Sequence, residues 1–338
     1  MTQVADWETG NLDAEGTRDR ILGTFLAAGE AFVSGGSLSE QLQISRTAVW
    51  KHIRSLEQMG FQFESVHGTG YRLQRIPDLV LEPLLVPHLR PAAKLGRRIH
   101  WFSSLDSTNA VAMKLALQEV AHGSLVTATE QTGGRGRRGR TWFSPQGGLW
   151  LSIILQRPFP LRIAPELTLL ASVAVKRALE LEVGVAAKIK WPNDLLLEGK
   201  KICGILAEIR ADGEQVEHAV VGIGINTNIP AESFPHDIKE RASSLQALTG
   251  RTVSHIALLS RLLTEFETLF DQLVLGHGFA TISDEWRQAS HTLGTEVQVQ
   301  TPAGLVTGFA ERIDDHGALY VRQADGDVTV IQSGEILF

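Results

Sequence analysis

The spacing of apolar residues changes along the chain, and each change predicts a different kind of element. From Thr17 to about Arg75 apolar positions recur three and four apart, beginning with Ile21, Leu22, Phe25 and Leu26, the period of a helix with one buried face. Ser37-Leu38-Ser39-Glu40 has the spacing of a capping box, which places the start of a second helix there. Ser45 caps a third helix over Arg46 to Met59. Gly60 ends it, because a residue without Cβ adopts the left-handed backbone common after a helix. Phe61 to Val66, the turn His67-Gly68-Thr69-Gly70 and Tyr71 to Leu73 read as a hairpin.

Pro77, Pro83, Pro87 and Pro91 interrupt residues 77–97, which read as a linker of limited flexibility. A larger pattern fills residues 98–288. It predicts strands at Ile99 to Phe102, Leu125 to Thr129 and Leu149 to Leu155, and a helix capped around Asp106-Ser107-Thr108-Asn109 that runs to about Val120. A long helix from about Ala164 to Leu181 follows. Next come a meander of Ala187 to Trp191, Leu195 to Leu197, Ile202 to Arg210 and Glu217 to Ile225, and a helix over His255 to Leu273. Residues 289–338 switch to short alternating segments broken by glycine, such as Val297 and Val299, Leu319 and Val321, Val328 and Val330. That is the pattern of a small β-barrel, so the fold class is α+β.

The formal net charge of −6 argues against a surface coated for nonspecific nucleic-acid binding and requires any DNA contact to come from a local basic face. The third helix has one. Val49, Ile53 and Leu56 form its inward stripe, whereas Arg46, Thr47, Trp50, Lys51 and Arg54 lie on another side, suited to a phosphate backbone or base edges. The arrangement over residues 17–76 resembles a winged helix-turn-helix DNA-binding domain; a small interaction domain of the same shape, with Trp50 in its core, fits the pattern too. Residues 1–16 carry Asp6, Glu8, Asp13 and Glu15 without lysine or arginine and read as a mobile tail. The lone cysteine, Cys203, favours a reducing cytoplasm and reads as a small buried hydrophobe. No leader and no long apolar run suggests export or a membrane.

Candidate chemistry concentrates in the central region. Gly133-Gly134-Arg135-Gly136-Arg137-Arg138-Gly139-Arg140 packs four glycines and four arginines into eight residues. Glycine lets backbone amides approach a ligand, and guanidinium groups grip carboxylate or phosphate oxygens with two prongs. A disordered arginine-glycine tract would be longer and repetitive, and a P-loop would end in Gly-Lys-Ser/Thr. Lys190-Trp191-Pro192-Asn193-Asp194 delivers an amide and a carboxylate into a turn. Lys201 returns across the expected hairpin, where a cation can neutralise charge between a carboxylate and a phosphate. Gly222-Ile223-Gly224-Ile225-Asn226 puts two glycines on one face of a strand, which marks either a bulge or a floor beneath a flat ligand.

Together these motifs resemble the biotin-protein ligase family over most of the chain. With the N-terminal winged helix, they resemble its bifunctional members that also repress the biotin operon. The resemblance implies a winged helix-turn-helix, a central mixed α/β ligase domain of class II synthetase type and an SH3-like C-terminal barrel. It implies that Ser107, Thr108, Asn109, Gln131, Arg135, Gly136, Arg137, Lys201, Gly204, Gly222 and Gly224 bind biotin. Arg137, Arg138, Arg140, Trp142, Asn193, Asp194 and Asn226 would bind ATP, with Lys201, Arg135 and Arg137 as the catalytic residues. The substrates would be ATP and biotin, assisted by Mg²⁺, with metal ligands left unassigned. The partners would be the biotin carboxyl carrier protein of acetyl-CoA carboxylase, operator DNA and a second copy of the chain. Ile223 stands where a smaller residue is commoner, and Thr141 where a basic one is. Neither removes a functional group. A lipoate-type ligase and a non-catalytic biotin-sensing regulator are the competing readings.

Overall fold

The computed structural model describes residues 12–118 and 120–337. Its most compact division falls between Pro87 and His88. The first unit contains α1 (Leu12–Ala28), α2 (Gly35–Leu42), α3 (Arg46–Gln58), β1 (Gln62–Val66), β2 (Gly70–Arg75) and α4 (Glu82–Leu85). Ile21, Leu22, Phe25, Leu38, Val49, Ile53, Leu56 and Phe61 form its core, as the helical spacing requires. The β1–β2 hairpin is held by paired backbone bonds between Val33 and Tyr71 at 2.8 and 2.9 Å.

Several expectations need correction in this unit. Residues 12–16, assigned to a mobile tail, belong to α1; residues 1–11 lie outside the described residues. The cap of α2 is Ser34, whose hydroxyl accepts from Ser37 N at 3.0 Å, and the helix starts before the presumed capping box. Trp50 is 48% exposed, so it is not a core residue. The proline-rich segment is not free chain either. Val80, Leu81, Leu84, Leu85, Leu89 and Leu95 are buried, and α4 packs on α1. Pro83 sits in the first turn of α4, where a helix needs no amide donor.

The second unit is built on a mixed sheet whose strands run in the order β3-β4-β5-β10-β9-β8-β7. These are β3 (Ile99–Leu105), β4 (Leu125–Gln131), β5 (Leu149–Leu155), β7 (Lys188–Lys190), β8 (Asp194–Leu197), β9 (Lys200–Asp212) and β10 (Gln215–Ile225); β6 (Phe159–Pro160) pairs with the start of β10. Only the β3–β4 pair among them is parallel, joined through α5 (Thr108–Ala116), which packs on β4, β5 and β10. All residues of β5 are buried, the mark of a strand covered on both faces. α6 (Glu166–Ala178) continues into a π-turn over Leu179–Val183, which Gly184 ends at φ 73°, and it packs against α8 (His255–Val274). α7 (Leu245–Thr249) and α9 (Ser283–Ala289) were not legible because neither is long enough to establish a helical period. The chain ends in a five-stranded antiparallel sheet of β11 (Glu296–Thr301), β12 (Gly304–Ile313), β13 (Leu319–Arg322), β14 (Val328–Ile331) and β15 (Glu335–Ile336). Val297, Val299, Ala310, Leu319, Val321 and Ile331 fill its inner face. No helix among the described residues is long and apolar enough to cross a membrane.

Candidate functional site

The corner between β3 and α5 forms one end of a cavity. Ser107 is the N-cap of α5, extended at φ −153°, and its Oγ accepts from Ala110 N. The cap sets Thr108 and Asn109 on the first turn, buried beside the partial positive charge of the helix start. Gln131, at the end of β4, accepts from Thr108 N at 2.8 Å and from its hydroxyl at 3.1 Å. Asn109 lies against bare backbone, because a Cβ on Gly222 would overlap its carboxamide.

The arginine loop leaves β4 as a folded turn. Gly136 N donates to Arg140 O at 2.7 Å, and Arg138 and Gly139 both take positive φ, at 57° and 75°. The loop meets the C-terminal sheet. Arg137 donates to Gly334 O at 3.1 Å, Ser333 Oγ at 3.2 Å and Asn193 Oδ1 at 3.5 Å, Arg138 donates to Gln300 O at 2.9 Å, and Arg140 pairs with Glu335. Arg135 pairs with Asp106 at 3.6 Å. Burial pulls the Arg137 guanidinium below its ordinary value, opposed by Asp194 and Glu335.

Across the cavity, the turn between β7 and β8 presents Asn193 and Asp194. Lys201 Nζ lies 2.8 Å from Asp194 Oδ1 and 4.9 Å from the centre of the Trp142 ring. That ring rests on two glycines: a Cβ on Gly204 would stand 2.8 Å from it, and one on Gly224 2.5 Å from its Nε1. The glycine strand is therefore a floor rather than a bulge, since β10 keeps unbroken register with β9 and β5 through this stretch. Trp142 Nε1 and Asn226 Oδ1 are buried without a hydrogen-bond partner among the described residues.

These elements enclose about 280 Å³, near the lower end of ligand pockets at roughly 300–1,000 Å³. The cavity is bordered by Ser107, Thr108, Asn109, Gln131, Arg135, Gly136, Arg137, Arg138, Arg140, Trp142, Asn193, Asp194, Lys201, Gly204, Gly222, Gly224 and Asn226, all named from the sequence. It is also bordered by Lys190, Arg241 and Glu335, which the sequence reading did not assign. Lys190 had a visible signal, as the charged first residue of Lys-Trp-Pro-Asn-Asp; Arg241 and Glu335 reach the wall only through folding. Cys203 is buried, and burial pushes its thiol well above the usual range, as expected of an inert core residue. In the first unit Arg46, Thr47, Trp50, Lys51 and Arg54 are all exposed on α3, with the Arg54 guanidinium 5.4 Å from the Trp50 ring.

Comparison with known proteins gives three family matches: an HTH domain over residues 17–72, the Biotin/lipoate A/B protein ligase family over 101–226, and the Biotin protein ligase C terminal domain over 292–338. The chain is 38% identical over 320 residues to the bifunctional ligase/repressor BirA of Bacillus subtilis, covering 94% of this chain and 98% of that one. It is 37% identical to the biotin–[acetyl-CoA-carboxylase] ligase of Paracoccus denitrificans, covering 69% and 97%. Among solved structures, the biotin protein ligase from Aquifex aeolicus in complex with biotin and ATP aligns at 29% identity and a TM-score of 0.62, covering 71% of this chain and 98% of that one.

Proposed function

Because this chain belongs to the biotin-protein ligase family, in the branch that carries a helix-turn-helix domain, we propose that it joins biotin to a carrier protein through an adenylate and represses transcription with that adenylate bound. The carrying observation is that one cavity gathers the arginine loop, the Lys201–Asp194 pair and the glycine floor. In the first step a biotin carboxylate oxygen attacks the α-phosphorus of ATP and pyrophosphate leaves. In the second, the amine of an acceptor lysine attacks the carbonyl of the mixed anhydride and AMP leaves.

The chain's own residues bind, orient and shield. Ser107, Thr108, Asn109 and Gln131 take the ureido ring; Gly222 lets the Asn109 carboxamide, and Gly204 and Gly224 the Trp142 ring, lie close on the sheet and shape the pocket for the bicycle. Lys201, Arg135 and Arg137 offset the negative charge that accumulates as carboxylate meets phosphate, where fixed cations in a shielded site act most strongly. Arg138, Arg140 and Asn193 serve the phosphates, and the Trp142 indole offers adenine a stacking face. Asp194 and Asn226, whose Oδ1 has no hydrogen-bond partner among the described residues, are the oxygen donors that would hold a magnesium ion, which would supply charge neutralisation there. Gly136 and Gly139 let the loop close over an anhydride that water would hydrolyse.

The acceptor is the biotin carboxyl carrier protein of acetyl-CoA carboxylase, and the reaction belongs to the cytoplasm. When acceptor is scarce the adenylate persists. Its presence favours a homodimer that sets two copies of α3 on operator half-sites. The test is biotin-dependent exchange of labelled pyrophosphate into ATP. Exchange is expected in the native chain and reduced at least about 100-fold in Lys201→Ala, the scale of losing a transition-state charge partner. Exchange driven by lipoate or octanoate in place of biotin, or unaffected by Lys201→Ala, overturns the assignment.

A further inference from the structure

The ureido end of the cavity is backed by hydrogen bonds from its lining residues to two side chains, Glu208 and Ser152, that do not line it. Asn109 Nδ2 donates to Glu208 Oε2 at 2.7 Å and to Leu206 O at 3.2 Å, while Asn109 Oδ1 accepts from the fully buried Ser152 hydroxyl at 2.6 Å. Ser152 Oγ also lies 2.8 Å from Thr108 Oγ1, which lies 3.1 Å from Gln131 Oε1. Both ends of this chain have a fixed sense. A carbonyl and a carboxylate only accept, so the Asn109 nitrogen must face Leu206 and Glu208 and its oxygen must face Ser152. Thr108 N–H only donates, so Gln131 must turn its oxygen toward Thr108.

The two hydroxyls between these ends share three short oxygen–oxygen contacts and have one proton each. The Ser152 proton is shared between Asn109 Oδ1 and Thr108 Oγ1, and the Thr108 proton is directed at Gln131 Oε1, which leaves Thr108 a lone pair to offer a ligand. Resting on the reading of the cavity as a biotin site, we infer that Glu208, with Ser152, is a positioning residue for substrate specificity. It fixes the Asn109 carboxamide so that this end of the cavity accepts hydrogen bonds and selects an acid bearing N–H donors over one without them. Neither Glu208 nor Ser152 borders the cavity, so both act through Asn109 and Thr108. Glu208 stands on β9 opposite Val220 of β10, on the sheet that carries the glycine floor.

The test is calorimetric binding of biotin, and of biotin methylated on a ureido nitrogen, to the full chain. Glu208→Ala is expected to weaken biotin at least about tenfold, the scale of one charge-assisted hydrogen bond. Its penalty for methylation should shrink relative to the native chain, and its affinity for ATP should be unchanged. Glu208→Gln, whose side-chain oxygen can still accept from Asn109, should recover most of the biotin affinity. Thermal melting of each variant separates loss of fold from loss of positioning. Native binding of biotin together with an undiminished methylation penalty in a folded Glu208→Ala overturns the inference and leaves the ligase assignment standing. Failure of the native chain to bind biotin overturns the assignment itself.

Discussion

Lys190 is the residue whose protonation the fold disturbs most usefully. Burial pulls its ammonium down to about 8, with Lys201 and Arg241 pushing the same way and Asp194 and Glu335 opposing. It is cationic at neutrality and loses its proton just above. A cation favours a polyphosphate and a neutral amine does not, so kcat/KM for ATP should fall as pH rises through about 8. Bound phosphates raise the lysine's affinity for its proton, so the corresponding limb in kcat should lie higher. Lys190→Met should flatten the first limb; a limb that persists in this variant assigns it to another group. Ser152 shows what residue-level reading misses. It is a lone hydroxyl inside the apolar run Leu149 to Leu155, and its polarity was visible, but its bonding to Thr108 and Asn109 depends on β5 passing beneath α5.

Among the elements, α3 was the most legible. Its cap Ser45, inward stripe and terminating Gly60 are local or periodic features that need no knowledge of the rest of the chain. Lys51 projects from its exposed face. Lys51→Ala should weaken binding to operator and unrelated DNA alike and reduce the slope of log affinity against log salt by about one. Electrophoretic shift at several salt concentrations checks this, with pyrophosphate exchange expected to stay at the native rate. An unchanged slope removes Lys51 from the DNA interface. Helix ends were less legible. α5 was expected to reach Val120 but stops at Ala116, where the carbonyl is captured by Gln156 Nε2 at 2.7 Å from the strand side of the fold. α2 begins at Gly35 because the Ser34 hydroxyl accepts from Ser37 N and caps it there, and Gly36 leaves space for the Arg46 guanidinium, which a Cβ there would approach to 3.2 Å.

In the second unit, the C-terminal sheet is seated on the catalytic core: Trp191 Nε1 donates to Gly317 O at 2.9 Å, and His316 Nδ1 lies 3.1 Å from buried Glu166. Held there, its Glu335 occupies Arg140 and its backbone carbonyls occupy Arg137 and Arg138. Glu335→Gln removes the anionic half of that tie, so limited trypsin cleavage between Arg135 and Arg140 should accelerate in the ligand-free protein. Biotin and ATP should protect both forms; equal cleavage of native and variant chains excludes the tie. The sequence by itself determined the order of domains, the two faces of α3 and most of the polar residues that border the cavity. Arginine-glycine loops, caps and glycine strands express their chemistry within a few consecutive residues. Tertiary structure alone decided which carbonyl or carboxylate each arginine meets, where α5 stops, and which way the Asn109 carboxamide faces. Those outcomes depend on hydrogen bonds spanning as many as 197 residues, and a bond of that reach has no local period or spacing to announce it.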